Sequence, residues 1–251
     1  MPGNPGRKPL ALRTLAVLDL TSLGEDDDRA RIEALCDAAN TPHGAPAAVC
    51  VYPEWIATCR QRLHDLGLQQ VQVATVVNFP EGGNDPGRVH RETRRALAAG
   101  AHEIDVVLPW RRLQAGDSAA ARTVLEACRE ACGPQARMKV ILETGALQIE
   151  ALIREAAEIA LDAGADFLKT STGKVAVNAT PEAARILLKA THARGGQCGF
   201  KAAGGIRTLA DAAGYFALAD DILGPHWATP THFRFGASSL LGEILAVLDA
   251  P

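Results

Sequence analysis

The stretches ALAAGAHEID, residues 96–105, and ALDAGADFLK, residues 160–169, align without a gap at a constant offset of 64 residues. Each reads as the end of a helix, a stop glycine, an alanine and then a short apolar run. A unit repeating as helix, glycine and strand implies parallel strands joined by right-handed crossovers. The alignment also sets Asp105 and Lys169 at equivalent points of two strands. Lys201, in GGQCGFKAAGG, follows Gly196 by five residues, the separation of Gly100 from Asp105 and of Gly164 from Lys169.

Outward from this pair the alternation continues along the whole chain. Apolar or β-branched runs at 15–19, 47–51, 72–77, 103–107, 138–142, 167–169, 199–201 and 233–235 predict eight strands. Between them, Ile32, Leu35, Cys36 and Ala39, and again Leu152, Ile153, Ala156, Ile159 and Ala160, make stripes with helical spacing. Pro86 and Thr180-Pro181-Glu182 mark helix starts; Gly67, Gly100, Gly164 and Gly196 mark helix stops. Eight such units predict an α/β fold of one domain, a (β/α)8 TIM barrel over residues 12–251, after a flexible N-terminal tail at residues 1–11. An open doubly wound sheet is the rival fold, and no GxGxxG follows the first strand to favour it. On the barrel, Asp105, Lys169 and Lys201 are expected at one level near the C-terminal ends of strands four, six and seven, where barrel enzymes carry their chemistry.

A length of 251 residues, 47% hydrophobic and 22% charged, suits one globular domain. The net charge is -3, with no basic block interleaved with aromatics, which gives nucleic-acid binding no support. No apolar stretch reaches the roughly eighteen residues of a membrane span. The opening MPGNPGRKPL has no apolar h-region, so no secretory signal is expected. The six cysteines (Cys36, Cys50, Cys59, Cys128, Cys132 and Cys198) lack zinc-site spacing, and the seven histidines form no HExxH. Reduced thiols, a cytoplasmic location and no metal are the expectation.

A lysine is almost never fully buried unless paired, so two strand-end lysines call for a reason. At ~5 Å and an effective dielectric of about 20, two ammonium groups repel by roughly 3 kcal/mol. That is about two pKa units. With desolvation added, one lysine could fall from about 10.4 toward 7 and attack a carbonyl. The pair would titrate as a unit, so the spacing does not say which lysine keeps its proton. Asp105 offers an acid/base, directly or through water. Asp19, ending the first strand in LDLTSL, is placed to hold the second lysine and is expected among the substrate-binding residues. The plainer reading, salt-bridged rim residues, stays open for each lysine alone; Lys174 reads either as solvated or as a phosphate contact.

Anion binding has its own signals. Gly204 and Gly205 follow strand seven, where bare backbone can approach a phosphate. Gly236, Ser238 and Ser239 open the last helix, whose N-terminus presents unpaired N–H groups and a positive dipole end. Barrel enzymes often bind phosphate with these two loops. Ser238 as a simple helix cap is the plainer alternative. Cys50, ending strand two, is expected as a small core residue.

With these residues in view, the sequence resembles the deoxyribose-phosphate aldolases, class I (Schiff-base) aldolases, over nearly its whole length. The resemblance rests on LDLTSL, AAVCVYP, ATVVNFPEG, EIDVVLPWRRLQAGD, KVILETGAL, GADFLKTSTGKVAVNATPE, GFKAAGGIRT and FRFGASSLL. It implies reversible cleavage of 2-deoxy-D-ribose 5-phosphate to D-glyceraldehyde 3-phosphate and acetaldehyde. Lys169 matches the Schiff-base lysine, Lys201 the lysine that perturbs it, and Asp105 the acid/base. Thr21, Gly173, Lys174, Gly204, Gly205, Gly236, Ser238 and Ser239 fall where the family holds the sugar phosphate, and no cofactor is implied. Family members often form homodimers; no interface is readable here. Two departures stand out. Ala202 replaces the proline common in GFKPAGG. The sequence also ends at Pro251 without the tyrosine tail some members use in proton transfer, which implies low turnover or another group in that role. Another Schiff-base aldolase and a non-catalytic phosphate-binding barrel remain as rivals.

Overall fold

The computed structural model describes residues 6–250. Eight parallel strands close into a barrel in chain order. They are β1 (Leu18–Thr21), β2 (Ala48–Val51), β3 (Gln72–Val77), β4 (Glu103–Val107), β5 (Arg137–Ile141), β6 (Phe167–Lys169), β7 (Gly199–Ala203) and β8 (Phe233–Ala237). The helices are α1 (Arg7–Ala16), α2 (Arg29–Ala38), α3 (Ile56–Asp65), α4 (Pro86–Ala98), α5 (Trp110–Gln114), α6 (Ser118–Cys132), α7 (Thr144–Leu147), α8 (Glu150–Asp162), α9 (Pro181–Ala193), α10 (Leu209–Leu223) and α11 (Leu240–Leu248).

The expected caps are present. Asp85 and Thr180 accept from Arg88 N and Ala183 N ahead of Pro86 and Pro181. Both copies of the repeat close alike: Gly100 N bonds to Leu97 O and Ala101 N to Ala96 O; Gly164 N bonds to Leu161 O and Ala165 N to Ala160 O. These glycines have φ of 104° and 78°, which a side chain resists. The third coincidence is only numerical. On α9 the equivalent bonds come from Gly195 N to His192 O and Gly196 N to Thr191 O, so Gly195 is the stop and the loop is one residue longer.

The N-terminal reading is corrected. Residues 1–5 of the expected tail lie outside the described residues, but Arg7–Ala16 is a helix, not a tail. It packs against α10 and α11, and Arg13 forms a bidentate pair with Asp220 at 2.7 and 3.1 Å over the Phe216 ring. Pro9 sits in its first turn, where the missing N–H has no helical partner to lose. The helix takes Leu15, so β1 begins at Leu18 rather than residue 15.

Each strand alternates. Leu18, Leu20, Val49, Val51, Val73, Ile104, Val106, Met138, Val140, Leu168, Phe200, Phe233 and Phe235 belong to the main core between sheet and helices. Their neighbours face the barrel axis, and the register sorts them into layers. Cys50 pairs with Ala74 and Ala74 with Glu103; two residues on is Asp105. The same step leads from Asp105 to Lys169, then Gly236, then back to Cys50. Four such steps of two residues give the shear of about eight that is usual for this barrel. The upper layer is therefore Cys50, Asp105, Lys169 and Gly236. The middle layer, from odd strands, is Asp19, Ala74, Lys139 and Lys201. The lower is Ala48, Glu103, Phe167 and Arg234. Lys201 thus lies one layer below Asp105 and Lys169, and the expected single level is corrected: adjacent strands feed alternate layers.

Candidate active site

Seven of those twelve axial positions hold Asp, Glu, Lys or Arg, where branched apolar residues are the rule. The carboxylates Asp19, Glu103 and Asp105 meet the bases Lys139, Lys169, Lys201 and Arg234, all buried. Asp105 is the hub. Its Oδ1 accepts from Lys139 Nζ at 2.7 Å, and its Oδ2 accepts from Lys169 Nζ at 2.8 Å and Lys201 Nζ at 2.9 Å. Lys201 also donates to Asp19 Oδ2 at 2.5 Å, the contact expected of Asp19. Below them, Glu103 meets Lys139 at 2.7 Å and Arg234 at 3.0 Å, and Arg234 reaches Asp19 at 2.6 Å.

Three buried acids face four buried bases, and Arg137 adds a further contact to Glu103 at 3.0 Å, so cations outnumber carboxylates along the axis. Buried unpaired charge costs on the order of several kcal/mol per ion, so the excess cation is the one most easily deprotonated. Lys169 is the one of the four whose pKa is lowered. Burial pushes its ammonium below the ordinary lysine range, Asp105 pulls against that, and Lys201 adds to the lowering. Burial acts on Lys201 in the same sense, but Asp105 and Asp19 overcome it and hold it above the ordinary range. Lys139 is likewise raised by Asp105 and Glu103 against its burial. Asp105 stays well below the usual carboxylate range, because the three lysines outweigh its own burial. Desolvation, more than repulsion between the lysines, is thus the larger force on Lys169.

Above the network the barrel opens into a cleft of about 430 Å³. Lys169 lines it, together with Thr21, Gly173, Lys174, Gly204, Gly205, Gly236, Ser238 and Ser239, so every predicted substrate contact except Asp19 meets there. Asp19 lies lower, in the middle layer. Gly204 and Gly205 have φ of 82° and 85°, and a Cβ on Gly204 would come within 2.7 Å of Asn178. Ser239, not Ser238, occupies the N-cap of α11, and its side chain caps nothing there. Both serines are exposed. Lys174 Nζ donates to Leu23 O at 2.7 Å, tying the loop after β6 to the loop after β1. Cys50 is buried, and burial raises its thiol pKa.

Sequence reasoning passed over Lys139, Glu103 and Arg234. The signal was present: each interrupts an apolar strand, in RMKVI, HEIDVV and FRF, as Lys169 and Lys201 do. It also passed over Glu143, fully buried at the end of β5 with φ of 56°. Its carboxylate accepts from Thr172 N at 3.2 Å and Thr172 Oγ1 at 2.5 Å, fastening the loop that carries Gly173 and Lys174. Burial raises its pKa.

The profile of the DeoC/LacD family aldolases matches residues 14–241. The chain belongs to this aldolase family, and so to the carbon–carbon lyases. It is similar to a protein from Toxoplasma gondii ME49 provisionally named a deoxyribose-phosphate aldolase, at 28% identity over 98% of both chains and a TM-score of 0.90. A protein from Coccidioides immitis with the same provisional name matches at 29% identity, covering 94% of this chain and 86% of that one, with a TM-score of 0.81. The fold is also shared with the tetrameric deoxyribose phosphate aldolase of Aeropyrum pernix, at 23% identity over 99% of both chains and a TM-score of 0.68. Among the described residues, no helix is long and apolar enough to cross a membrane.

Proposed function

We propose that the chain cleaves 2-deoxy-D-ribose 5-phosphate reversibly to D-glyceraldehyde 3-phosphate and acetaldehyde, with Lys169 as the Schiff-base nucleophile. One observation carries this reading: of the four interior bases, Lys169 alone lines the cleft, and it is the one whose pKa burial lowers. Neutral Nζ attacks the C1 aldehyde of the open-chain sugar; loss of water gives a protonated imine. That imine draws in the electron pair of the C2–C3 bond as the C3 hydroxyl gives up its proton. Glyceraldehyde 3-phosphate leaves, and an enamine remains on Lys169. Protonation at C2 and hydrolysis release acetaldehyde and restore the amine.

Asp105 and Lys201 are assigned to proton movement. Asp105 Oδ2 touches both lysine nitrogens, so a proton can pass between them without entering bulk water. Lys201, held protonated by two carboxylates, is the donor, and Asp105, directly or through water, the relay. The phosphate is assigned to Gly204, Gly205, Gly236, Ser238 and Ser239, with Lys174 and Gly173 from the opposite loop and Thr21 beside the sugar. The similar proteins from Toxoplasma gondii and Coccidioides immitis support the substrate. Six buried cysteines, all free thiols, support a cytoplasmic location. A homodimer is expected from the family alone; light scattering decides it.

The test is borohydride reduction with acetaldehyde. A reduced adduct mapped to Lys169, together with loss of turnover in a folded Lys169→Ala variant, is the expected result. An unmodified Lys169 peptide would leave a phosphate-binding barrel without this chemistry.

A further inference from the structure

The wall of the cleft built by the loop between β1 and α2 carries a carboxylate where an anion is to bind. Asp27 lines the cleft, its side chain 1% exposed. It is fixed there: Ser22 Oγ donates to Oδ1 at 2.8 Å and Gly24 N to Oδ2 at 3.1 Å. Asp26 and Asp27 fold closely over Gly24, where a Cβ would meet their oxygens at 2.9 and 3.0 Å. A phosphate dianion in this cleft is repelled unless something offsets Asp27.

Arg31 is placed to do so. It lines the same cleft, in the first turn of α2, with Nη1 at 2.8 Å from Asp26 Oδ1 and 3.5 Å from Asp27 Oδ1. Asp26 is 78% exposed, so that pair is weak and readily exchanged. Both contacts use Nη1, and a guanidinium fork has donors beyond it that match phosphate oxygens. Lys174 faces the loop from the other side, through Leu23 O. Arg31 and Lys174, with Arg207 of the loop after β7, are the cations that line the cleft beside Lys169.

Resting on the proposed phosphorylated substrate, we infer that Arg31 is a specificity-determining residue: it cancels Asp27 and engages the phosphate, so that the cleft prefers phosphorylated aldehydes.

The experiment compares kcat/KM for deoxyribose 5-phosphate and for unphosphorylated deoxyribose, with inorganic phosphate as a competitive inhibitor. Arg31→Ala keeps the backbone N–H that bonds the Asp28 cap, and a melting curve checks its fold. Its preference for the phosphorylated sugar should drop about tenfold to hundredfold, with phosphate inhibition weakened alike. Arg31→Lys should recover part of the preference, and so should adding Asp27→Asn to Arg31→Ala. A folded Arg31→Ala enzyme with wild-type preference and wild-type phosphate inhibition would overturn the inference alone. A wild-type enzyme with no preference would overturn the phosphate reading itself, and this inference with it.

Discussion

Lys169 and Lys201 are register partners on neighbouring strands, and both donate to the same oxygen of Asp105. Their nitrogens therefore lie no farther apart than the sum of those two bonds, 5.7 Å, since each is within 2.9 Å of that oxygen. What separates them is the second carboxylate. Lys201 has Asp19 as well and keeps its proton; Lys169 has Asp105 alone and faces the cleft. One shared acceptor and one unshared acceptor thus push the pKa values of two identical side chains in opposite directions, as the proposed roles of acid and nucleophile require.

Asp105→Asn tests the relay apart from the nucleophile. Removing the charge takes away the strongest force that raises the Lys169 pKa, so imine formation should survive. Proton transfer should not. Turnover is expected to fall about 100- to 10,000-fold while borohydride still traps acetaldehyde on Lys169. Loss of trapping in the folded variant would make Asp105 a requirement for the nucleophile instead.

A second expectation concerns pH. Lys169 must be neutral to attack, so kcat/KM should rise with pH through its lowered pKa, below the ordinary lysine value. Lys201→Met removes a cation that helps lower it and frees Asp105 and Asp19 to raise it. The rising limb should move to higher pH. A pH-rate profile with an unmoved limb would contradict this coupling.

Most of the fold was legible because its punctuation is local. Gly100 and Gly164 adopt the positive φ that their place before a strand implied, and Thr180 and Asp85 cap where proline follows. The two interior lysines were legible because a lysine interrupting FLK or GFK has no packing reason to be there. Layering was not legible. It depends on the stagger between strands, which spacing along one chain does not encode, so Lys201 was expected level with Lys169. Lys139 carried the same signal as the other two lysines. Its role needed the structure, since Asp105 and Lys139 are register partners only across the β4–β5 pair. The helix at Arg7–Ala16 was not legible: its first half was read as tail and Leu15 as strand, and Pro9 is tolerated there because it falls in the first turn.

Lys139 touches no part of the cleft, yet Lys139→Met should affect the chemistry. It donates to Asp105 and Glu103 at 2.7 Å each. Without it, Asp105 loses one of its three ammonium partners and is left to raise the Lys169 pKa more strongly. Activity at neutral pH should fall and the rising limb move upward. Breaking the buried pairs should also lower unfolding free energy by about 3–5 kcal/mol. Urea denaturation beside the pH-rate profile measures both; a destabilised variant with an unshifted profile would confine Lys139 to a structural role.

The sign of the acid limb follows from the same carboxylates. Asp19, Glu103 and Asp105 are all held below their ordinary values, as nearby cations outweigh burial. Their stabilising contribution is full above the unfolded carboxylate pKa of about 4 and is lost as pH falls through the depressed folded values. Thermal unfolding should therefore show little change in Tm from these three carboxylates between about pH 5 and 7, and a steep fall below about pH 4. Asp19→Asn should flatten that fall, as one depressed carboxylate is gone.

Gly145 supplies a test of how the cleft is held rather than charged. A Cβ there would lie 1.8 Å from Val177 O and 2.5 Å from its carbonyl carbon, so the obstacle is backbone. Gly145→Ala must push the segment after β6 outward. That segment holds Asn178 against Gly204 and carries Lys174, whose reach to Leu23 closes the cleft. Thr144 N still bonds Thr170 O at 2.9 Å, so Lys169 itself should stay in place. The KM for deoxyribose 5-phosphate is expected to rise more than kcat falls, with a stability cost of about 1–3 kcal/mol from overpacking. If kcat falls while KM stays unchanged, the loop positions the nucleophile and not the phosphate.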